Sequence, residues 1–141
     1  MKITSLLLAA SLALPALAQA PSTSDSLNTR RVLCDIALEQ PLFKTFPKQT
    51  PYRIPAIAAT QSGSLIALTD YRPCGADIGY GRVDLRYRIS HNNGATWSPE
   101  LVLAQGDGIK GSLTCGYGDA AVVADSRSGE VIVVCVTGNT V

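Results

Sequence analysis

Two stretches of this chain share one layout. PAIAATQSGSLIAL (55–68) and DAAVVADSRSGEVIVV (119–134) each run from a small, apolar strand through a Ser/Gly turn into a second apolar strand. Gly63 and Gly129 mark the matching turns. A β unit that returns in this way cannot bury its faces alone. It predicts repeated sheets packed against each other, as in successive blades of a propeller. A plain β-sandwich with two hairpins of similar composition is the alternative that the layout leaves open.

The intervening sequence supports an all-β reading. In VDLRYRIS (83–90), Val83, Leu85, Tyr87 and Ile89 fall on one face, and Asp84, Arg86 and Arg88 on the other. Period two over this length predicts a half-buried antiparallel strand. HNNGATW follows, with Asn93-Gly94 as a tight-turn dipeptide. LVLA (101–104) is a further strand, and EVIVVCV (130–136) reads as a more fully buried one. No segment after the N-terminal apolar run shows sustained helical periodicity.

A formal charge of +1, 46% hydrophobic residues, 12 Gly and 8 Pro suit a soluble globular chain. Lys and Arg are scattered among acids with no basic stripe, so a nucleic-acid partner is not expected. The first residues are a separate object. Lys2, the apolar LLLAASLAL and the small residues of ALAQA have the layout of a secretory signal peptide. Cleavage after Ala18 is preferred over Ala20, which would leave Pro21 at the new terminus. The apolar run is shorter than the ~20 residues of a membrane span, and no cysteine follows it to carry a lipid. The expected location is the periplasm or beyond. Residues 19–31 are polar and expected to form a flexible lead-in, leaving 32–141 for the β domain.

Cys34, Cys74, Cys115 and Cys135 allow two disulfides in an oxidising compartment, in three connectivities. None has C-x-x-C spacing, and His91 is the single histidine, so no metal site and no cofactor are expected. In the 119–135 hairpin, Cys135 should oppose a residue near Ala120, which disfavours a Cys115–Cys135 bridge.

Arg53 stands at the start of an apolar strand expected to be buried, where a guanidinium needs an anion to face. Setting Ala56 against Ala120 brings Arg53 and Asp119 to the entry of equivalent strands. In a propeller such entry ends converge on one central cavity.

Three motifs, in order, resemble the sialidase family. YRIP (52–55) resembles the arginine motif that opens its catalytic domain, and TDYRPCGAD (69–77) its second arginine and following aspartate. SHNNGATW (90–97) resembles its repeated Asp box, Ser-x-Asp-x-Gly-x-Thr-Trp, with Asn92 in the aspartate's place. The likeness runs from about Val32 to the last residue. It implies the N-terminal blades of a six-bladed β-propeller, incomplete in this chain, and an exo-α-sialidase acting on sialylated glycoproteins, glycolipids or oligosaccharides. The resemblance assigns Asp77 as the general acid/base and Arg53 to the sugar carboxylate. Arg72 and Asp119 would contact the hydroxyl and N-acetyl side. Asp70 is a rival to Asp77, but its place beside Arg72 suits a salt partner. Tyr80 and Tyr117 flank these positions. The box at 90–97 would be structural, with asparagine keeping the oxygen that bonds the turn amides.

Sialidases depart from two-carboxylate glycosidases in using a tyrosine nucleophile. The family's tyrosine, its assisting glutamate and two further arginines come later than this chain extends. The chain is therefore expected to be the N-terminal part of a longer enzyme and inactive alone. A trans-sialidase, a non-catalytic Asp-box propeller that binds glycans or proteins, and an Asp-box glycosidase for neutral sugars are the competing readings. A convergent pair of arginines argues against the last two.

Overall fold

The computed structural model describes residues 39–49 and 51–138. The expected signal peptide, the lead-in at 19–31 and Cys34 lie outside them. All elements among the described residues are strands: β1 (Tyr52–Ala59), β2 (Leu65–Tyr71), β3 (Asp84–Ser90), β4 (Leu101–Ala104), β5 (Tyr117–Ala124) and β6 (Val131–Thr137). β1 to β4 form an antiparallel meander in sequence order, and β5–β6 a two-stranded antiparallel sheet. A parallel bridge between Val83 and Gly116 links the two.

The repeat in the sequence is a repeat in backbone geometry. In β1–β2 the register slips between Arg53 and Ala56, and in β5–β6 between Gly118 and Ala121. Each bulge inserts one residue, and in each the residue after the last regular pair is left-handed: Ile54 (φ 53°) and Asp119 (φ 51°). The alignment of Ala56 with Ala120 is therefore off by one. Ala56 matches Ala121, Arg53 matches Gly118, and Ile54 matches Asp119. The one-residue error arises because a bulge leaves no mark in apolar periodicity.

The core lies between the sheets. Ile66, Leu68 and Leu85 of the meander meet Ala120, Val131, Val133 and Cys135 of the hairpin, all buried. Tyr87 and Ile89 pack against this cluster, as the alternation in VDLRYRIS requires. Two burial expectations are corrected. β6 alternates, with Val131, Val133 and Cys135 inward but Ile132 and Val134 exposed, because no described residue covers its outer face. β1 is an edge strand and largely exposed rather than buried, for the same reason.

The 90–97 turn is fastened by its side chains. Asn93 (φ 54°) and Gly94 (φ 86°) take the left-handed pair that a two-residue hairpin turn needs. Asn92 Oδ1 accepts the Thr96 amide at 2.9 Å, Ser90 Oγ accepts the Gly94 amide at 2.8 Å, and Trp97 Nε1 donates to the Gly94 carbonyl at 3.1 Å. Asn92 Nδ2 adds a bond to Thr96 Oγ1 at 2.9 Å that a carboxylate could not donate. The register Leu65↔Ser90 and Tyr71↔Asp84 puts this turn at one end of β2–β3 and Asp84 at the other.

The polar face of β3 is an ion-pair layer rather than a solvated surface. Asp84 is fully buried and holds Arg82 at 2.8 Å and Arg86 at 3.2 Å. It also accepts the Gly106 amide at 3.1 Å. Arg86 continues to Glu100, which in turn accepts from Tyr52 Oη at 2.8 Å, and its guanidinium stacks 3.8 Å above the Tyr71 ring. Burial, then the bond to Glu100, pushes the Tyr52 phenol up to about 12. Burial alone would raise the Asp84 carboxyl. The hydrogen bonds from Arg82 and Arg86 outweigh it and hold the group below the usual aspartate range.

A carboxyl depressed on folding stabilises above its unfolded pKa and loses that stabilisation as pH falls through its folded pKa. Asp84→Asn should therefore lower the unfolding free energy by about 3 kcal/mol at neutral pH. It should also flatten the acid limb of the stability curve below about pH 4. Urea melts across that range check both outcomes.

Candidate active site

At the end of the meander opposite the 90–97 turn, β2 leads out through Asp70 and Tyr71 to Arg72. The Arg72 amide is bonded to the Pro51 carbonyl, which holds the chain against the entry of β1. Arg72 is buried, its side chain 3% exposed, and it gathers three carboxylates. Nε and Nη2 donate to Asp70 Oδ2 at 3.1 and 2.7 Å. Nη1 donates to Asp77 Oδ1 at 2.7 Å, and Nη2 lies 3.4 Å from Asp119 Oδ1. A guanidinium has five N–H donors, so one donor on Nη1 is not used by these contacts.

Asp70 is the anchor, as its place beside Arg72 suggested. Fully buried, it spends Oδ2 on Arg72 and Oδ1 on the Asp119 amide at 3.1 Å. Burial pushes its carboxyl above the usual range; the bonds from Arg72 oppose this without cancelling it. Asp77 and Asp119 differ, with side chains 64% and 48% exposed. The guanidinium thus has a buried partner that fixes it and two exposed partners that face solvent. With three carboxylates around one cation, the cluster is net negative.

Local sequence explains each position. Asp77 lies in PCGADIGYGR, a loop between β2 and β3 that turns left-handed at Gly75 (φ 70°) and Gly79 (φ 88°). Asp77 Oδ1 also accepts the Ile78 amide at 2.9 Å, which orients the carboxylate within the turn. Asp119 occupies the β5 bulge, where aspartate tolerates φ 51° better than the β-branched Ile54 tolerates φ 53° in the matching bulge. Backbone outliers of this kind concentrate at functional sites. Gly118 was not singled out from the sequence, yet it permits the assembly. A Cβ there would stand 2.6 Å from Asp70 Oδ2 and 2.8 Å from Ile78 Cδ1. Its only sequence signal is a glycine inside a strand, which marks a bulge or a close approach.

Arg53 is brought to the same end but not into the cluster. It faces Asp70 across the β1–β2 ladder, and opposed residues emerge on one face of a sheet. Its carbonyl accepts the Thr69 hydroxyl at 2.8 Å, while its exposed side chain has no ion-pair partner among the described residues. Tyr80 is exposed beside Asp77, and Tyr117 packs against the core. A cavity of about 530 Å³ borders β1, lined by Leu42, Phe43, Tyr52, Arg53 and Ile57 among others. It contains none of Arg72, Asp77 or Asp119, and its lining is largely apolar, so the polar cluster and not the cavity is the candidate site. Among the described residues no group of His, Cys, Asp and Glu could hold a metal ion.

No protein-family model matches the chain. It is 32% identical over 80 residues to a sialidase of Micromonospora viridifaciens, a match covering 57% of this chain and 12% of that protein. Among solved structures it resembles the Hadza microbial sialidase Hz136 with a TM-score of 0.52 and 32% identity, over 64% of this chain and 19% of the other. The chain thus spans a small fraction of the length of the relatives it matches.

The close approach at Gly118 makes a sharp test. Gly118→Ala should displace the Asp70 carboxylate and lower the unfolding free energy by about 2 kcal/mol. Gly138→Ala, whose added Cβ would meet nothing nearer than Ile78 Cγ2 at 3.5 Å, should stay within about 0.5 kcal/mol of the parent. Equal effects in paired denaturant melts would dissociate Gly118 from the cluster.

Proposed function

Because the chain is related to the sialidases over the matched region, we propose that it forms the N-terminal part of the catalytic domain of an exo-α-sialidase, a retaining glycoside hydrolase that releases terminal sialic acid. The observation that carries this reading is the Arg72 cluster, in which one buried guanidinium is shared by two exposed aspartates. In this reading the four-stranded meander is one propeller blade and β5–β6 the inner strands of the next. The stapled turn at 90–97 is the Asp box.

The charges divide the labour. Arg72 is already surrounded by carboxylates, so a sugar carboxylate gains little from it. Its unused N–H and the exposed oxygens of Asp77 and Asp119 suit the hydroxyl and amide groups of a polyol instead. Arg53, with no described ion-pair partner, is the cation left for the carboxylate, which a guanidinium fork matches in two parallel bonds. Asp77 is the exposed carboxyl on a glycine-hinged loop and is assigned as general acid/base. In the structure Asp77 Oδ1 is tied to Arg72 at 2.7 Å, not free to approach a glycosidic oxygen. The role therefore requires the 73–81 loop to draw Asp77 off Arg72 when sugar binds, a gating motion of ordinary kind. The sequence-stretch LLLAASLAL supports export, to the periplasm or outside the cell.

The nucleophile does not come from these residues in this reading, so the 141-residue chain alone should give no turnover of a fluorogenic sialoside. In the whole protein, Asp77→Asn should lower kcat by about 100-fold or more, as for loss of a general acid. Arg53→Ala should act mainly on KM for the anionic sugar. Unchanged kinetics in both variants, or preferential hydrolysis of neutral glycosides, would overturn the reading.

A further inference from the structure

The two loops that frame the Arg72 cluster meet at Gly81, and each brings a cysteine to it. Cys74, in the loop that carries Asp77, packs on one side: a Cβ at Gly81 would stand 2.7 Å from Cys74 Cβ and 3.3 Å from its sulfur. Cys115, in the segment leading into β5, reaches the same glycine, its buried thiol 3.6 Å from the Gly81 carbonyl. Gly116, next to Cys115, is equally tight, since its Cβ would meet the Gly81 carbonyl at 3.3 Å. Only glycine at 81 leaves room for Cys74 to pack against this segment.

We infer that Cys74 and Cys115 are a disulfide pair that ties the Asp77 loop to the entry of β5. The structure holds both as free thiols. A disulfide brings Cβ atoms to about 3.5–4.5 Å, so the exposed 73–81 loop must close toward Cys115 for the bond to form. Gly75 and Gly79, both left-handed, are hinges for that movement. Cys135 is the weaker partner for either. It sits in the core cluster, opposite the β5 bulge and so away from Cys115 in the register.

The chemistry needs a disulfide oxidant, and an exported chain meets such compounds. Exposed Cys74, as thiolate, attacks one sulfur of the oxidant's S–S bond, breaking it and releasing one thiolate. Cys115, deprotonated in turn, attacks the Cys74 sulfur of this mixed disulfide and expels the second thiolate. Two electrons pass to the oxidant, which leaves as two thiols carrying the two cysteine protons. Burial, with the charges of Asp107 and Cys74 adding to it, pushes the Cys115 thiol up. That suits Cys74 as the first attacker. The consequence is a restraint on the loop whose motion the acid/base role requires, and the inference itself stands without the sugar reading.

The test uses the full chain, treated with glutathione disulfide, blocked with a maleimide without reduction, and digested with trypsin. The peptides 54–82 and 111–127 should appear joined, two hydrogens lighter than their sum, and separate after dithiothreitol. A Cys34→Ser/Cys135→Ser variant, which keeps only the two thiols in question, should lose both on the same treatment. Maleimide on both Cys74 and Cys115 after oxidation would overturn the inference. So would a cross-link from Cys74 to Cys34 or Cys135.

Discussion

The buried contact between Arg72 and Asp70 governs the functional end of this fold. Both side chains are almost wholly removed from water, so neither charge is tolerable without the other. Two donors of the guanidinium converge on one oxygen of Asp70, and the second oxygen takes the amide of Asp119. One carboxylate thereby locks an arginine of the meander and the bulge of the neighbouring hairpin in a single arrangement. The contact is poor evidence for net stability, because desolvation offsets much of the attraction. Its physical yield is geometry: a guanidinium that cannot swing and therefore presents the same two edges to Asp77 and Asp119.

The sheets supply the remaining constraint. Apolar packing of Ile66, Leu68 and Leu85 on Val131, Val133 and Cys135 sets the two sheets face to face. The matched bulges then bend each first strand just where it meets Asp70. A regular ladder at that point would lack the left-handed turn at Asp119 that places its amide on Asp70. Glycine at 118 keeps the gap open. Charge and packing are thus coupled through the backbone, and the stapled 90–97 turn closes the other end of the sheet, remote from the cluster.

Much of this was legible in the sequence. Alternation in VDLRYRIS gave the orientation of β3, Asn93-Gly94 gave its turn, and Asp70 beside Arg72 gave a salt pair. All three are local signals, carried by period two, by backbone preference and by adjacency. What failed was not local. The bulges shift register by one residue without changing hydrophobicity, so the hairpins were matched one residue out of step. The burial of β1 and β6 was overestimated, since an apolar strand does not say which of its faces is covered by residues present in the same chain. The alternation places Asp84, Arg86 and Arg88 on one face but does not show that Asp84 turns inward, with Arg82 and Arg86 on it and Arg86 leading on to Glu100 and Tyr52. A charged stripe looks the same in sequence whether water or ion pairs satisfy it. The roles of Gly118 and Gly81 are not legible for another reason, since a glycine can mark a close approach but not what a side chain there would strike.

The central claim is that Asp70 and Arg72 act as one unit on which the exposed carboxylates depend. A double-mutant cycle on unfolding free energy, with Asp70→Asn, Arg72→Met and the pair together, measures this most directly. The structure predicts that the single losses are each severe, while the double variant loses far less than their sum, with a coupling of about 2 kcal/mol or more. Additivity of the two losses to within about 0.5 kcal/mol would contradict it.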